Sequence, residues 1–512
     1  MSTTPRTAAG ASEDAVAQPS RRKFLGGIAA AAVVVGWNAV DRTWATAAEA
    51  AGDARVVPVP ALSGTLEAAP ATVEAFGKDF GHLWDAPGNR PWAVLRPGGI
   101  DDIVAIVNYA RANGIKVAVN GQGGRGADLE SHSVYGQARV PGGISIDAKG
   151  MSKILSIGSD HAVVEAGVTW GQLTDAALAL GKTPPALTDY MHLSVGGTIS
   201  VGGIGGTVQR YGLQCDTVQS IDIVTGDGKL VTASPSVRSE LFNAALAGGG
   251  QVGIIVRATV ALIPAPARVV LLSLFYNDVE TYLADAEQVM EDGRFEIQAG
   301  EMLQKPDGSG WRYKMEVGAA YDTTPPDRDG LLADLRDVRA DAVIEDMTYR
   351  AYAFRIDAAE AYLKQAGYWP GPKPWLSMFL PASKVKTFMK QVEQELTAAS
   401  LGGGFLLFYP YVTSKIGRPL AIQPNESAAY LFDLLRFPNP GEPNIQGMLD
   451  QNRRLYDTAV AMGAKRYLVG AVPNMTQADW RAHFGNRWTA LRAAKAKYDP
   501  KNLFTPGQGF FA

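Results

Sequence analysis

Two glycine-dense segments are the clearest candidates for chemistry in this 512-residue sequence. The first spans residues 121–126 (GQGGRG), and the second runs from Gly196 to Gly206. Glycine lets the backbone approach a ligand closely and permits a positive φ. Several backbone N–H groups in a row then form a concave site for an anion such as a pyrophosphate. Both segments are therefore candidates for binding a phosphate-bearing ligand.

The first segment matches the G-x-G-x-x-G pattern, and Asp147 follows at the offset usual for a ribose-binding acid. A Rossmann domain also needs a helix that begins inside this pattern, so that its positive end faces the pyrophosphate. Residues 127–143 contain three glycines and Pro141, which leave room for a short polar helix at most. No regular alternation of strands and helices follows. The sequence therefore argues against a Rossmann domain.

The elements that must position these segments are mostly short strands. Val94–Pro97 and Ile115–Val119 read as strands, and apolar residues at helical spacing between them predict a helix that ends at Gly114. Further helices are predicted near Trp170–Leu180 and from a Ser236 cap to Leu246. A hairpin is expected where residues 221–224 and 229–232 flank the turn 225–228.

The length of the chain and the positions of its prolines predict where the domains begin and end. A chain this long exceeds a single ordinary core, so two domains are expected. The sequence Pro264-Ala265-Pro266-Ala267 interrupts the strand pattern and indicates a boundary. Residues 475–512 are too few to fold alone, so we expect them to return to the first domain. The expected parts are 56–264, 265–474 and the return segment 475–512.

Composition excludes several classes of function. Hydrophobic residues make up 46% of the chain, which is typical of a globular protein. The net charge is −3 and no basic block is present, so we expect no nucleic-acid partner. The five histidines show no metal-ligand spacing, so no metal site is predicted. The single cysteine, Cys215, is interpreted as a small buried residue.

The N-terminus has the features of an export signal. Arg21 and Arg22 precede an apolar run of about 13 residues, too short to span a bilayer core of ~30 Å. Ala45-Thr46-Ala47 then resembles a cleavage site. Residues 1–47 are predicted to be a twin-arginine signal peptide, with the export machinery as a partner. The mature protein would be periplasmic or extracellular, with no membrane span; an uncleaved anchor or a chance basic pair is the alternative.

Ten segments of the sequence carry recognisable motifs: Val94–Val119, His132–Ala138, Gly142–Asp147, Thr188–Tyr190, Leu193–Thr198, Ser239–Phe242, Gly248–Gln251, Gly253–Ile255, Trp480–Trp488 and Asp499–Gln508. Together they resemble the vanillyl-alcohol oxidase superfamily, and within it the cytokinin dehydrogenases. The resemblance implies an α+β fold: a two-part PCMH-type FAD-binding domain with an inserted α+β substrate (cap) domain. It implies FAD as the cofactor. The boundaries near 265 and 475 agree with it.

The resemblance assigns His132 to a covalent bond with the 8α carbon of the flavin. In the family the glycine segment runs directly into this histidine, whereas here residues 124–131 intervene. Either the loop bulges and His132 still reaches the flavin, or the linkage is lost.

Asp189 corresponds to the catalytic acid of the family, which accepts a hydrogen bond and a proton from the substrate amine. A second carboxylate is expected in the cap, but Ala299 occupies the usual glutamate position. Glu301 is the nearest candidate, and it would need a shift of two residues along the strand. This departure puts an adenine-type substrate in question.

The glycine segments and the resemblance together define the cofactor-binding set. It comprises Gly121, Gln122, Gly123, His132, Ser133, Gln137, Thr188, Asp189, Ser194, Gly196, Gly197, Thr198, Gly202, Gly205, Gly253, Ile255 and Gln508.

The expected activity is FAD-dependent oxidation of a small molecule. Hydride would pass from a C–N bond (an amine, as in cytokinins) or a C–O bond to the flavin, with oxygen or another acceptor taking the electrons. One alternative is a berberine-bridge-like or sugar or alcohol oxidase on the same fold. Another is a non-catalytic exported flavin-binding protein.

Overall fold

The computed structural model describes residues 34–38, 40, 41, 43–46, 50, 51, 53, 56–84, 86–123, 130–132 and 134–511. Most of the predicted signal peptide and Ser133 lie outside the described residues. For Gln122 and Gly123 only the backbone is described.

Short strands and helices make up the described chain as far as residue 264. They are β1 (Gly36–Asn38), β2 (Thr43–Ala45), β3 (Val56–Pro58), β4 (Thr65–Glu67), α1 (Pro70–Ala75), β5 (Ala93–Arg96), α2 (Ile100–Asn113), β6 (Val117–Asn120), β7 (Gln122–Gly123), β8 (Glu130–Ser131), β9 (Ile144–Asp147), β10 (Ile154–Ile157), β11 (His161–Glu165), α3 (Trp170–Leu178), β12 (Lys182–Thr183), α4 (Val195–Ile199), α5 (Val208–Tyr211), β13 (Val218–Thr225), β14 (Leu230–Ala233), α6 (Ser239–Ala245), β15 (Gly253–Ala261) and β16 (Ile263–Pro264).

Two sheets organise this part. The first has the order β4-β5-β9-β6, with β5, β9 and β6 parallel. The second is antiparallel, with the order β10-β11-β15-β13-β14. Helix α2 buries Ile103, Ile106 and Val107 in the same core as the first sheet, and it ends at Gly114 with φ 65°. A left-handed glycine is a common helix end, so the sequence prediction is confirmed here.

The predicted hairpin is confirmed, since Val224 pairs with Leu230 across the turn. The predicted cap at Ser236 is wrong. Helix α6 begins at Ser239, after Arg238 with φ 48°. The reason is local: the hydroxyl of Ser234 accepts the N–H groups of Ser236 and Val237, which holds this stretch in a turn. Cys215 is fully buried, as interpreted from the sequence.

The second domain, called the cap below, follows after residue 265. Its elements are β17 (Arg268–Tyr276), α7 (Val279–Asp292), β18 (Ile297–Gln304), β19 (Trp311–Tyr321), α8 (Arg328–Leu331), β20 (Val343–Thr348), α9 (Tyr349–Ala353), α10 (Asp357–Gln365), β21 (Leu376–Pro381), α11 (Ala382–Glu395), α12 (Ala398–Leu401), β22 (Phe405–Val412), β23 (Ala428–Leu435), α13 (Ile445–Ala461) and β24 (Lys465–Arg466).

One eight-stranded antiparallel sheet forms the cap, in the order β20-β17-β19-β18-β22-β23-β21-β24. Side chains alternate between its two faces, as the period of a strand requires. Val270, Leu272 and Leu274 share a core with residues of α7, α11 and α13. Leu271, between them, points to the opposite face and lines a cavity against the first domain. The cap sheet is therefore covered by helices on one side and by the first domain on the other.

The last segment contains α14 (Gln477–Phe484) and α15 (Trp488–Tyr498) and then joins the first domain. Phe504 bridges Val117 of β6 in parallel. The ammonium of Lys495 donates to the carbonyl of Gln251 at 2.8 Å and to Asp499 at 2.7 Å. The tail thus extends the first sheet through the bridge between Phe504 and Val117. The buried Lys495 also joins the tail to Gln251 of the first domain.

Strands β1 and β2 belong to the segment predicted to be cleaved, yet they pair with the rest of the fold. Strand β1 lies between β2 and β3. Trp37 is 3% exposed and stacks on Trp92, with ring centroids 4.7 Å apart. Trp44 packs on both Trp37 and Tyr109. Cleavage after Ala47 would remove these two tryptophans from the core beneath α2.

Candidate active site

A cavity of about 810 Å³ lies where the first domain, the cap and the tail meet. Gly121 and Gly196 border it from the two glycine segments, Leu271 and Ala299 from the cap sheet, and Thr505 from the tail. Its size is at the upper end of the range of about 300–1,000 Å³ for small-molecule sites. Segments that are distant in sequence therefore contribute to one site.

The two glycine segments meet around Ser194. A Cβ atom added at Gly121 would lie 3.0 Å from the Ser194 hydroxyl oxygen, and one at Gly197 would lie 2.9 Å from it. A Cβ at Gly196 would come within 2.7 Å of the Ala166 side chain. Side chains at these positions would fill the space beside the backbone. The site therefore has the open backbone cradle that an extended diphosphate-bearing cofactor such as FAD needs.

His132 lies beside the first glycine segment despite the residues inserted between them. Strands β7 and β8 are antiparallel, with Gln122 opposite Ser131. The N–H of His132 then donates to the carbonyl of Gly121 at 3.1 Å. The backbone therefore returns to Gly121 after the inserted residues, and the insertion does not move His132 away from the first glycine segment. Its ring stacks on Phe80 at 4.3 Å between centroids and on Tyr190 at 5.2 Å.

A network of partly buried charges lies across the cavity. The guanidinium of Arg355, from the turn between α9 and α10, donates to Asp189 at 2.6 Å and to Glu316 at 3.1 Å. Lys314 donates to Glu301 at 2.8 Å and lies 3.7 Å from Glu316. Burial alone would lower the pKa of Arg355, but Tyr352, Asp189 and Glu316 raise it, so the side chain remains cationic.

Strand register explains how the cap charges come together. Ala299 of β18 is opposite Glu316 of β19, and Glu301 is opposite Lys314. Cross-strand partners project from the same face of a sheet. Burial raises the pKa of Glu301 despite its bond to Lys314. Glu316 on the neighbouring strand therefore lies on the same face as Ala299, and Arg355 lies between Glu316 and Asp189.

Comparison with known proteins identifies the family. The FAD binding domain family matches residues 91–234, and the family "Cytokinin dehydrogenase 1, FAD and cytokinin binding" matches residues 296–511. Cytokinin dehydrogenase 5 of Oryza sativa subsp. japonica is 33% identical, over 88% of this chain and 91% of its own length. The chain belongs to the cytokinin dehydrogenase family. Cytokinin dehydrogenase 4 of Arabidopsis thaliana is 31% identical, over 88% of this chain and 93% of that protein. An uncharacterised oxidoreductase of the fasciation locus of Rhodococcoides fascians is 34% identical, over 87% of this chain and 99% of its own length.

Membership of the cytokinin dehydrogenase family confirms three predictions. The fold is α+β, with an FAD-binding domain and a second domain of the cytokinin-binding type. FAD is the cofactor. The chain is an FAD-dependent oxidase or dehydrogenase.

Most of the residues assigned from the sequence come together around the cavity of this family member. Those that line it are Gly121, His132, Gln137, Thr188, Asp189, Ser194, Gly196, Gly197, Thr198, Gly253, Ile255 and Glu301.

Three other residues assigned from the sequence lie outside the lining of the cavity. Gly202 packs against Leu213, and a Cβ at Gly205 would overlap the carbonyl of Leu187, so these two glycines allow the chain to cross itself closely. Gln508 reaches the site indirectly, through a 3.3 Å hydrogen bond to Gln137. Gln122 and Gly123 contribute the ladder of β7, and Ser133 lies outside the described residues.

Apart from Glu301, sequence reasoning missed the cap side of the site. The missed residues that line the cavity are Arg355, Lys314, Glu316, Tyr409 and Asp433. The charged residues Arg312, Lys314 and Glu316 alternate along β19 and were a usable signal, because alternate residues share one face. Arg355 lies in the turn between α9 and α10 and had no such signal. Asn425 and Glu426 lie in a separate surface cavity, where Glu426 accepts a hydrogen bond from the N–H of Ser383 at the start of α11.

A second group of polar side chains joins the two domains near the cavity. His192, Asp357 and Glu360 bring their ligand atoms within 4.8 Å of one another. A 2.8 Å hydrogen bond joins His192 to Asp357, and Glu360 lies 2.8 Å from Lys364, so these side chains bind partners within the protein.

Within the described part of the chain, no helix combines the length and the apolar character needed to cross a bilayer.

The buried carboxyl of Asp433 predicts a pH dependence of stability. Burial raises its pKa to about 7 from 3.8, against the effect of the hydrogen bond from Ser377, and the charge of Asp189 adds to the rise. Between these values the unfolded chain releases the proton while the folded protein keeps it, so stability falls as the pH rises from about 4 to about 7. Asp433→Asn should flatten this fall in melting temperatures of the FAD-loaded protein. The exposed Asp450→Asn is the control, and equal slopes in Asp433→Asn and wild type would contradict the assignment.

Proposed function

We propose that this member of the cytokinin dehydrogenase family oxidises a C–N bond of a small amine, as its relatives' names suggest, and passes the electrons to oxygen or another acceptor. The observation that supports this most directly is the position of Asp189. It lines the cavity that both glycine segments border, at the junction with the cap. A carboxylate there can take a proton from a substrate beside the cofactor.

In the proposed reaction, Asp189 accepts a hydrogen bond from the substrate N–H and then receives its proton. FAD, when bound, supplies the acceptor for the hydride that leaves the adjacent carbon. The substrate is left with a C=N double bond. Arg355 holds one oxygen of Asp189 at 2.6 Å, which fixes the carboxylate while its second oxygen remains for the substrate. Trp369 and Trp375 line the same cavity with the apolar surface of their rings.

A tyrosine base, as in a berberine-bridge-like or sugar oxidase, is the second candidate. Tyr409 supports it, because this residue lines the cavity and its buried hydroxyl has no hydrogen-bond partner among the described residues. Burial, however, raises the pKa of Tyr409 well above its ordinary value. The phenol is therefore held protonated, and the carboxylate of Asp189 is the better base.

Replacement of the proposed base tests the amine reaction. Asp189→Asn keeps the size of the side chain, so FAD should stay bound, but anaerobic bleaching of the flavin by an amine should slow by about 100-fold or more. Asp175→Asn is the matched control, because Asp175 also pairs with an arginine of the cap but is exposed. An Asp189→Asn protein that bleaches at the wild-type rate would remove Asp189 from the mechanism.

We also propose that His132 carries the covalent bond to FAD. The position of its backbone beside Gly121 supports this, because the inserted residues do not move it from the site. After acid precipitation the yellow colour should stay with wild-type protein and appear in the supernatant of His132→Ala. His161→Ala, at a partly exposed histidine outside the lining of the cavity, is the control. Free flavin from the wild-type protein would refute the linkage.

Export by the twin-arginine route is proposed from the sequence of residues 1–47. Such a route suits a protein that must acquire its cofactor before it leaves the cytoplasm. Arg21→Lys with Arg22→Lys should retain the protein in the cytoplasm, whereas Arg6→Lys should not. Unchanged export of the double variant would contradict the proposal. The mass of the exported form would also show whether β1 and β2 remain attached.

A further inference from the structure

A second cavity, of about 710 Å³, shares no lining residue with the active site. Its walls come from residues 413–427 between β22 and β23, from Lys465 of β24, and from residues 483–487 where α14 meets α15. Strands β22 and β23 pair as far as Val412 and Ala428. A hairpin needs only about 2–5 residues to join such strands, so the segment 413–427 is much longer than the connection requires.

Hydrogen bonds to other parts of the chain hold this long segment in place. The carboxylate of Asp216 accepts the N–H groups of Gly417 and Arg418, each at 2.9 Å. The carboxylate of Glu426 accepts the N–H of Ser383 at 2.9 Å and its hydroxyl at 2.5 Å. These bonds lower the pKa of Glu426. Glu426, the one carboxylate among the described residues of this lining, is therefore ionised and already bound.

The lining of the second cavity carries an excess of positive charge. Its cations are Arg418, Lys465 and Arg487, against the single carboxylate of Glu426. Arg418 lies 3.6 Å from Asp216, whereas neither Lys465 nor Arg487 forms an ion pair with any described residue. A side chain that keeps its charge without a partner is available to an anion from outside the protein.

Buried groups behind this lining add to the imbalance. Arg466 is 3% exposed, donates to the carbonyl of Gly470 at 2.8 Å, and has no hydrogen-bond partner for its Nε among the described residues. Burial lowers its pKa to about 10, which indicates a poorly compensated charge.

His483 lines the cavity, is 5% exposed, and its Nδ1 has no hydrogen-bond partner among the described residues. Burial and the charges of Arg466 and Lys465 lower its pKa to about 3, so the ring is neutral. Buried polar atoms normally have partners, and buried charges are normally balanced. This part of the molecule therefore lacks an anion.

We propose that the second cavity binds a small phosphate ester, at a site separate from the active site and independent of the proposed oxidation. A phosphate ester carries a charge of about −1.5 to −2 at neutral pH, which matches three cations opposed by one carboxylate. Arginine and lysine are the usual phosphate-binding side chains.

Polar side chains of the same lining indicate what the rest of the ester offers. Asn425, Ser427 and Asn486 form no side-chain hydrogen bond with any described residue. Amide and hydroxyl groups can donate to hydroxyl oxygens and also accept from them. The cavity volume lies within the range of about 300–1,000 Å³ for small-molecule sites. A phosphorylated sugar combines the required charge, size and hydroxyl groups.

Isothermal titration calorimetry of the FAD-loaded protein tests this site, because bound FAD keeps phosphate away from the glycine segments. Glucose 6-phosphate is the probe, inorganic phosphate reports the contribution of the anion, and glucose is the uncharged control. Both anions should bind, and glucose should not. Lys465→Met and Arg487→Met should each weaken the binding of glucose 6-phosphate by about 10-fold or more, the scale for losing a hydrogen bond between charged groups.

Two exposed cations outside the lining provide matched controls. Lys415→Met changes a lysine of the same segment, and Arg492→Met changes an arginine of α15. Both should keep the wild-type dissociation constant, and the flavin spectrum verifies that every variant is folded.

Three results would overturn the inference. The first is the absence of any heat of binding with glucose 6-phosphate at millimolar concentration. The second is a wild-type dissociation constant in both Lys465→Met and Arg487→Met. The third is equal weakening in the lining variants and in the two controls, which would mean that the anion responds only to the net charge of the protein.

Discussion

The partly buried ion pair between Arg355 and Asp189 is the constraint on which the active site depends. It joins the cap to the FAD-binding domain, and Glu316 and Lys314 extend it into a network that reaches Glu301. Buried charges are stable only when each has a partner with good geometry, and loss of one partner leaves the other uncompensated. The network therefore fixes the position of the carboxylate proposed to take the proton, and it fixes the cap relative to that carboxylate.

The glycine segments serve the other half of the site. They keep side chains away from the backbone around Ser194, so that a cofactor can lie against it. The tail completes the same domain through β6 and the buried Lys495. The FAD-binding domain therefore supplies the open backbone for the cofactor and the carboxylate of Asp189. The cap supplies the other charged side chains and the aromatic side chains that line the cavity.

The sequence predicted the cofactor half of the site far better than the substrate half. Glycines, the helix that ends at Gly114 and the hairpin near residue 226 depend on local backbone rules, which a single sequence reveals. The group of Arg355, Glu316 and Asp189 depends on strand register and domain packing, which local patterns do not encode. Ser236 shows the limit even for local rules, because a competing turn at Ser234 displaced the helix start. The position of His132 also depended on the pairing of β7 with β8.

A crystal structure of the oxidised, FAD-loaded protein would test the central claim most directly. The account predicts the pyrophosphate against the backbone near residues 121 and 196–198, with the flavin ring beside His132. It also predicts that Asp189 and Arg355 remain paired on the substrate side of the ring. A cofactor bound elsewhere, or an Asp189 carboxylate separated from both the flavin and Arg355, would contradict the account.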